Sequence, residues 1–174
     1  MKDILEKAAQ IRLVVFDVDG VLTDGSLFIG DDGQEYKAFH SRDGLGMKML
    51  HRSGVEIGII TARSSEVVRH RMASLDIEHV YQGRLEKGPA FEELIAKLGL
   101  APEQTAYVGD DVVDLPVLRR AGLAIAVADA HPLVKQHAHW QTPHPGGRGA
   151  ARDVCELIME AQGTLEAQLR RFLS

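Results

Sequence analysis

Asp17 and Asp19 stand one residue apart at the end of the apolar run Ile11–Phe16, with Gly20 directly after them. A short apolar run bounded by turn signals reads as a buried strand. The two acids therefore sit where a strand ends, and on a continuing strand both would point to the same side. Carboxylates that close repel each other unless a cation lies between them or one of them keeps a proton. The stretch asks for Mg²⁺, for acid–base chemistry, or for both. Ligands of open parallel sheets bind at this edge.

Three further groups punctuate the chain in the same way. Val55–Ile60 reads as a strand that delivers Thr61. Lys87-Gly88-Pro89 opens a helix, with proline in the first turn where it is tolerated. Thr105–Val108 reads as a strand ending in Gly109-Asp110-Asp111, with Asp114 and Pro116 in the first turn of the next helix. Between them lie helical patterns at 45–52, 66–75 and 88–98, and further strands at 77–81 and 123–127. Strands that alternate with helices imply a parallel sheet wrapped on both faces. On such a sheet the acids, the hydroxyl and the lysine converge on one edge. Two short extended runs, Ser26–Ile29 and Glu35–Phe39, flank a Gly/Asp turn and read as a β-hairpin over that edge. The expected organisation is one domain over 1–174, with a hairpin insertion at about 24–40 and a helical tail at about 163–174.

A carboxylate nucleophile, a second carboxyl, a hydroxyl, a lysine and another acid cluster are what phosphoryl transfer to an aspartate needs. Carboxylate and phosphate are both anions, and Mg²⁺ plus an ammonium cancel their repulsion. Asp17-Val18-Asp19-Gly20-Val21-Leu22, Ile60-Thr61, Lys87-Gly88 and Gly109-Asp110-Asp111-Val112-Val113-Asp114 resemble, in order, the four motifs of the haloacid dehalogenase superfamily of aspartate-dependent phosphatases. The resemblance covers residues 11–127. It implies a Rossmann-like three-layer α/β sandwich with a mostly parallel sheet. It makes Asp17 the nucleophile and Asp19 the acid–base. Thr61 and Lys87 would hold the phosphoryl oxygens. Asp17, the Asp19 carbonyl and Asp110 would bind Mg²⁺, while Asp111 and Asp114 would support Lys87 and the metal's waters.

A narrower resemblance extends over nearly the whole chain. The small hairpin in place of a cap domain, His40-Ser41-Arg42-Asp43-Gly44, Thr61-Ala62-Arg63, Tyr81-Gln82-Gly83 and the segment Gly146–Asp153 look like the 3-deoxy-D-manno-octulosonate (KDO) 8-phosphate phosphatases. That likeness implies a phosphorylated sugar-acid substrate on the way to lipopolysaccharide. It also implies a homotetramer whose hairpins form an intersubunit barrel, each subunit closing its neighbour's site. His40, Ser41, Arg42, Asp43, Gly44, Arg63 and Arg71 would contact the sugar acid. A Ser-x-Asp-Gly turn before a helix offers N–H groups to an anion, and Arg63 follows Thr61 closely. Competing readings are a nine-carbon sialic-type 9-phosphate as substrate, a non-catalytic assembly module, and a phospho-receiver domain. The order of the motifs opposes the receiver, because Lys87 precedes Asp110-Asp111. Arg63 favours the KDO branch over the sialic branch.

Composition limits the remaining classes. The 174 residues carry a net charge of -5, which is no nucleic-acid footprint. No apolar run approaches membrane-spanning length, and the start, Met-Lys-Asp-Ile-Leu-Glu-Lys, is charged where a signal peptide is apolar. The single Cys155 forms no intrachain disulfide and fits a reducing, cytoplasmic setting. His131, His137, His139 and His144 lie in a loop region without acid or cysteine partners, which argues against a zinc site.

Overall fold

The computed structural model describes residues 1–174. Its six-stranded sheet is built on β1 (Leu13–Phe16), whose residues are all buried. A strand covered on both faces needs apolar residues at successive positions, and the run Leu-Val-Val-Phe supplies them. Parallel neighbours flank it, β4 (Glu56–Ile60) on one side and β6 (Thr105–Gly109) on the other. With β5 (His79–Tyr81), β7 (Leu123–Ala126) and β8 (Trp140–Gln141), the order is β5-β4-β1-β6-β7-β8, parallel throughout. The chain runs outward from β1 on one side and then returns to fill the other. The crevice between the ends of β1 and β6 is thus the switch point where such sheets bind ligands.

Helices cover both faces. α2 (Ser41–Arg52) and α1 (Lys2–Ala9) pack on α7 (Ala150–Ala161), while α4 (Lys87–Leu98) packs on α5 (Leu115–Leu118). α3 (Glu66–Ser74), α6 (Pro132–His137) and α8 (Leu165–Arg170) complete the helical set. α4 stops at Gly99, whose φ of +65° is a left-handed cap that suits glycine. No helix is long and apolar enough to cross a membrane.

Several elements differ from the sequence expectation. The hairpin strands are only β2 (Phe28–Ile29) and β3 (Glu35–Tyr36), with Phe28 paired to Tyr36 and Ile29 to Glu35. The helix expected from Asp114 begins as a 3₁₀ turn, Val112–Asp114, before the short α5. Trp140 and Gln141 form the edge strand β8, which the expected strands do not include. The supposed turn Ser41–Gly44 is itself the first turn of α2, capped by His40, whose Nδ1 accepts the Arg42 N–H at 3.2 Å.

Candidate active site

β1 ends at Phe16, and Asp17 extends it by one hydrogen bond, its N–H donating to the Val108 carbonyl at 3.1 Å. The chain then turns tightly: the N–H groups of Val21, Leu22 and Thr23 all donate to the Val18 carbonyl. Asp19 therefore lies in a turn rather than on a continuing strand, and the two acids part company. Each faces a lysine of its own. Lys87 Nζ is 2.9 Å from Asp17 Oδ2, and Lys37 Nζ is 2.6 Å from Asp19 Oδ1.

Lys87 is 1 % exposed and sits at the start of α4. Its second anion is Asp114, at 2.7 Å. Burial pulls the ammonium's pKa down, but Asp17 and Asp114 together carry it above the ordinary value. Asp114, completely buried, accepts four donors. Oδ1 takes Lys87 and the Tyr107 hydroxyl, the latter at 2.6 Å, and Oδ2 takes the N–H groups of Asp110 and Asp111 at 3.0 and 3.2 Å. Gly109 makes this closeness possible, since a Cβ there would lie 2.6 Å from that of Asp114.

Carboxylate oxygens of Asp17, Asp110 and Asp114 lie within 4.8 Å of one another. Burial, then Asp114, pushes the Asp17 carboxyl up to about 7, and burial with the neighbouring acids pushes Asp110 to about 8. Uncompensated negative charge is concentrated here, and a divalent cation would relieve it. Each oxygen of Asp114 is engaged by two donors and each oxygen of Asp17 by one, so Asp17 and Asp110 are the carboxylates with room for a cation. That donor set fits Mg²⁺, which takes few protein carboxylates and keeps several waters. Gly20 guards the place of Asp110: its φ is +89°, and a Cβ on it would stand 1.9 Å from Asp110 Oδ2.

The pocket that Asp17, Lys87 and Asp110 line, about 160 Å³, also includes Asp19, Thr61, Arg63, Asp111 and Val113. Thr61 is buried at the end of β4, with its N–H donating to the Tyr81 carbonyl. Ser65, not Thr61, caps α3, so the threonine hydroxyl is not spent on a cap. Arg63 pairs with Glu35 of the hairpin. Asp111 is exposed and uses Oδ1 to cap the 3₁₀ turn through the Val112 N–H, at 2.7 Å, rather than to hold Lys87.

The remaining predicted substrate residues gather elsewhere. His40, Asp43, Gly44 and Arg71 line a hollow of only about 10 Å³ beside Phe39 and Met47. Arg71 borders it, lying over the Phe39 ring and donating to the His40 carbonyl at 3.3 Å. Burial raises the Asp43 carboxyl above its usual range. Oδ1 of Asp43 accepts the Arg152 N–H at 2.9 Å, while Oδ2 is buried without a hydrogen-bond partner. Ser41 and Arg42 are exposed on the same turn. Within one chain this cluster does not join the Asp17 pocket. The histidines do not converge either: His131 and His139 each accept a backbone N–H on Nδ1, and His144 does have an acid partner, Asp153, at 2.9 Å.

Two functional neighbours escape sequence reasoning. Tyr107 lies inside an apolar strand and reads as core, although a buried hydroxyl demands a partner. Lys37 reads as an edge-strand lysine facing water.

A haloacid dehalogenase-like hydrolase family model matches residues 77–152. The 3-deoxy-D-manno-octulosonate 8-phosphate phosphatase of Escherichia coli is 50% identical over 164 residues, covering 94% of this chain and 87% of that protein. A crystal structure of the Moraxella catarrhalis 3-deoxy-D-manno-octulosonate 8-phosphate phosphatase, in complex with a magnesium ion, a phosphate ion and KDO, superposes with a TM-score of 0.97. It is 41% identical and covers 99% of both chains. A probable YrbI family phosphatase from Pseudomonas syringae superposes with a TM-score of 0.98 at 50% identity, covering 100% of this chain and 99% of that one.

Proposed function

The chain belongs to the 3-deoxy-D-manno-octulosonate 8-phosphate phosphatase family, among the haloacid dehalogenase-like hydrolases, and from that premise we propose how its residues carry the reaction. It is a Mg²⁺-dependent phosphatase that converts KDO 8-phosphate and water to KDO and phosphate through an aspartyl-phosphate. The observation that carries the mechanism is the buried Asp17–Lys87–Asp114 chain beside Asp110.

Asp17 is held for attack, with Oδ1 accepting the Val18 N–H at 2.7 Å and Oδ2 facing Lys87. One carboxylate oxygen bonds to phosphorus while the bond from phosphorus to the sugar's oxygen breaks. Asp19 gives its proton to that departing oxygen. It then takes a proton from the water that attacks phosphorus, and phosphate leaves as the Asp17 carboxylate is restored. Lys87 and the Thr61 hydroxyl hold the phosphoryl oxygens. Bound Mg²⁺, held by Asp17, Asp110 and the Asp19 carbonyl, would offset the negative charge of carboxylate and phosphate as they approach. Tyr107 and the two backbone N–H groups fix Asp114, and Asp114 fixes Lys87.

A pocket of about 160 Å³ is well below the roughly 300 Å³ at which small-molecule sites begin. It admits a phosphoryl group and leaves the sugar acid outside. This supports a site completed by a second copy, whose His40–Gly44 turn and Arg71 would meet the sugar. The hairpin supports such an assembly, because Phe28, Ile29 and Tyr36 are each more than half exposed on it. A homotetramer joined through the hairpins, located in the cytoplasm, belongs to this reading, as does a product destined for lipopolysaccharide.

Phosphate release from KDO 8-phosphate, from a sialic-type 9-phosphate and from simple sugar phosphates, with Mg²⁺ and with chelator, tests the reading. Strong Mg²⁺-dependent preference for KDO 8-phosphate supports it. A peak on another ester would discard the substrate and keep the aspartate chemistry; no release from any of them would discard both.

A further inference from the structure

Lys37 stands one residue past β3, in a hairpin whose Phe28, Ile29 and Tyr36 face water, yet its side chain is 1 % exposed. Its ammonium lies 2.6 Å from Asp19 Oδ1 and 3.7 Å from Glu35 Oε2. Glu35 turns its other oxygen to Arg63, and Oε2 is buried without a hydrogen bond. The hairpin thus links an alternating row of charges, Asp19, Lys37, Glu35 and Arg63, whose two ends, Asp19 and Arg63, line the pocket. Burying an ammonium is costly unless anions repay it, and here it is buried against the acid–base residue of the reaction. The steps assigned to Asp17, Thr61, Lys87 and Asp110 give Lys37 no task.

We propose that Lys37 is a positioning residue that holds Asp19 Oδ1, so that Oδ2 is the oxygen that meets the leaving oxygen of the substrate. An ammonium has three donors and no acceptor. The oxygen it grips must accept, so the proton that Asp19 delivers is carried on the other oxygen. A carboxylate anchored at one oxygen also gives up rotation about its side-chain bonds, which keeps Oδ2 in place through both steps. Glu35 acts from behind by charge, keeping Lys37 against Asp19 while it restrains Arg63. The hairpin would then tune the chemistry of its own chain as well as cover the site. The inference rests on Asp19 being the acid–base group.

The test compares leaving groups in the Mg²⁺-loaded, full-length enzyme. The sugar alkoxide of KDO 8-phosphate needs a proton to leave, whereas p-nitrophenolate does not. Lys37→Met is expected to lower kcat/KM, which reports only the steps up to departure of the leaving group, on KDO 8-phosphate by about 10- to 100-fold, within the contribution of a well-placed acid. The loss on p-nitrophenyl phosphate should be far smaller. Equal losses on both esters would reduce Lys37 to a packing role and overturn the proposal, as would no loss on either. Asp19→Asn is the reference. If it discriminates between the esters and Lys37→Met does not, only the role of Lys37 falls; if Asp19→Asn does not discriminate, the acid–base reading falls and Lys37 with it.

Discussion

Replacing Asp114 by asparagine changes one atom, and the structure says what that atom is worth. The carboxylate accepts Lys87 and Tyr107 on Oδ1 and the N–H groups of Asp110 and Asp111 on Oδ2. An amide has one accepting oxygen and one donating nitrogen. With its oxygen toward Lys87, the nitrogen faces two backbone donors that cannot turn away. Flipped, it faces an ammonium, and only the Tyr107 hydroxyl can rotate to accept. The first placement loses two hydrogen bonds to a charged acceptor in a buried site; the second loses the one to Lys87 and sets a donor against the ammonium. At about 1.5–3 kcal/mol each, the first loss is about 3–6 kcal/mol, a large part of the roughly 5–15 kcal/mol that holds a domain folded. Urea unfolding of the metal-free protein at fixed protein concentration reads this directly. Phosphate release should fall as well, because Lys87 and the Asp110 loop lose their common anchor. Asp114→Asn with stability within about 1 kcal/mol of the parent and unchanged turnover would refute the argument.

Asp17→Asn should abolish phosphate release, on the order of 10⁴- to 10⁶-fold as for other lost nucleophiles, while the melting temperature holds or rises because Lys87 keeps Asp114; normal turnover in the folded variant would contradict this. Folding raises the Asp17 carboxyl from 3.8 to about 7 and Asp110 from 3.8 to about 8, chiefly by burial. A raised acid destabilises the fold as it ionises, so these groups cost the metal-free protein stability as pH climbs from about 4 to about 8. Mg²⁺ displaces the protons, and its thermal stabilisation at fixed concentration should be greater at about pH 8.5 than at about pH 5.5; the reverse order in melting curves would count against the assignment. Gly20→Ala places a Cβ 1.9 Å from Asp110 Oδ2, so Mg²⁺ affinity by titration calorimetry should weaken on the order of 10- to 100-fold.

The parts of this molecule legible in its sequence are those fixed by short-range rules. An apolar run ending in acids marks a central strand and its edge, and two such edges, a strand that delivers Thr61 and a helix opened by Lys87 mark the crevice where Asp17, Thr61, Lys87 and Asp110 meet. What stayed hidden depends on where the chain goes afterwards. Tyr107 looks like core until the 3₁₀ turn folds Asp114 back beneath it, seven residues on. Lys37 looks solvated until the loop after β3 swings it under Asp19. The Asp17–Asp19 repulsion expected of a continuing strand is dissolved by a turn that gives each acid a separate lysine. Arg71 and Asp43 have helical neighbours legible in sequence, but their hollow is distinct from the pocket that Asp17 lines.

The long-range closure of β1 and its following turn has a consequence for biogenesis. The turn that carries Asp19 is backed by residues from far along the chain: the Gly147 N–H donates to the Val21 carbonyl at 2.9 Å, and a Cβ on Gly146 would stand 1.8 Å from the Gly20 carbonyl oxygen. β1 itself lacks its second neighbour until Thr105–Gly109 has emerged. At ribosomal rates of about 5–20 residues per second, the stretch bearing the nucleophile waits on the order of 10 s for its last support. Through that interval an apolar strand has an open edge, the kind of surface that chaperones bind and that aggregates when they do not. Nascent chains arrested between residues 114 and 146 should therefore carry Asp17, Lys87 and Asp110 and still hold them in no fixed arrangement.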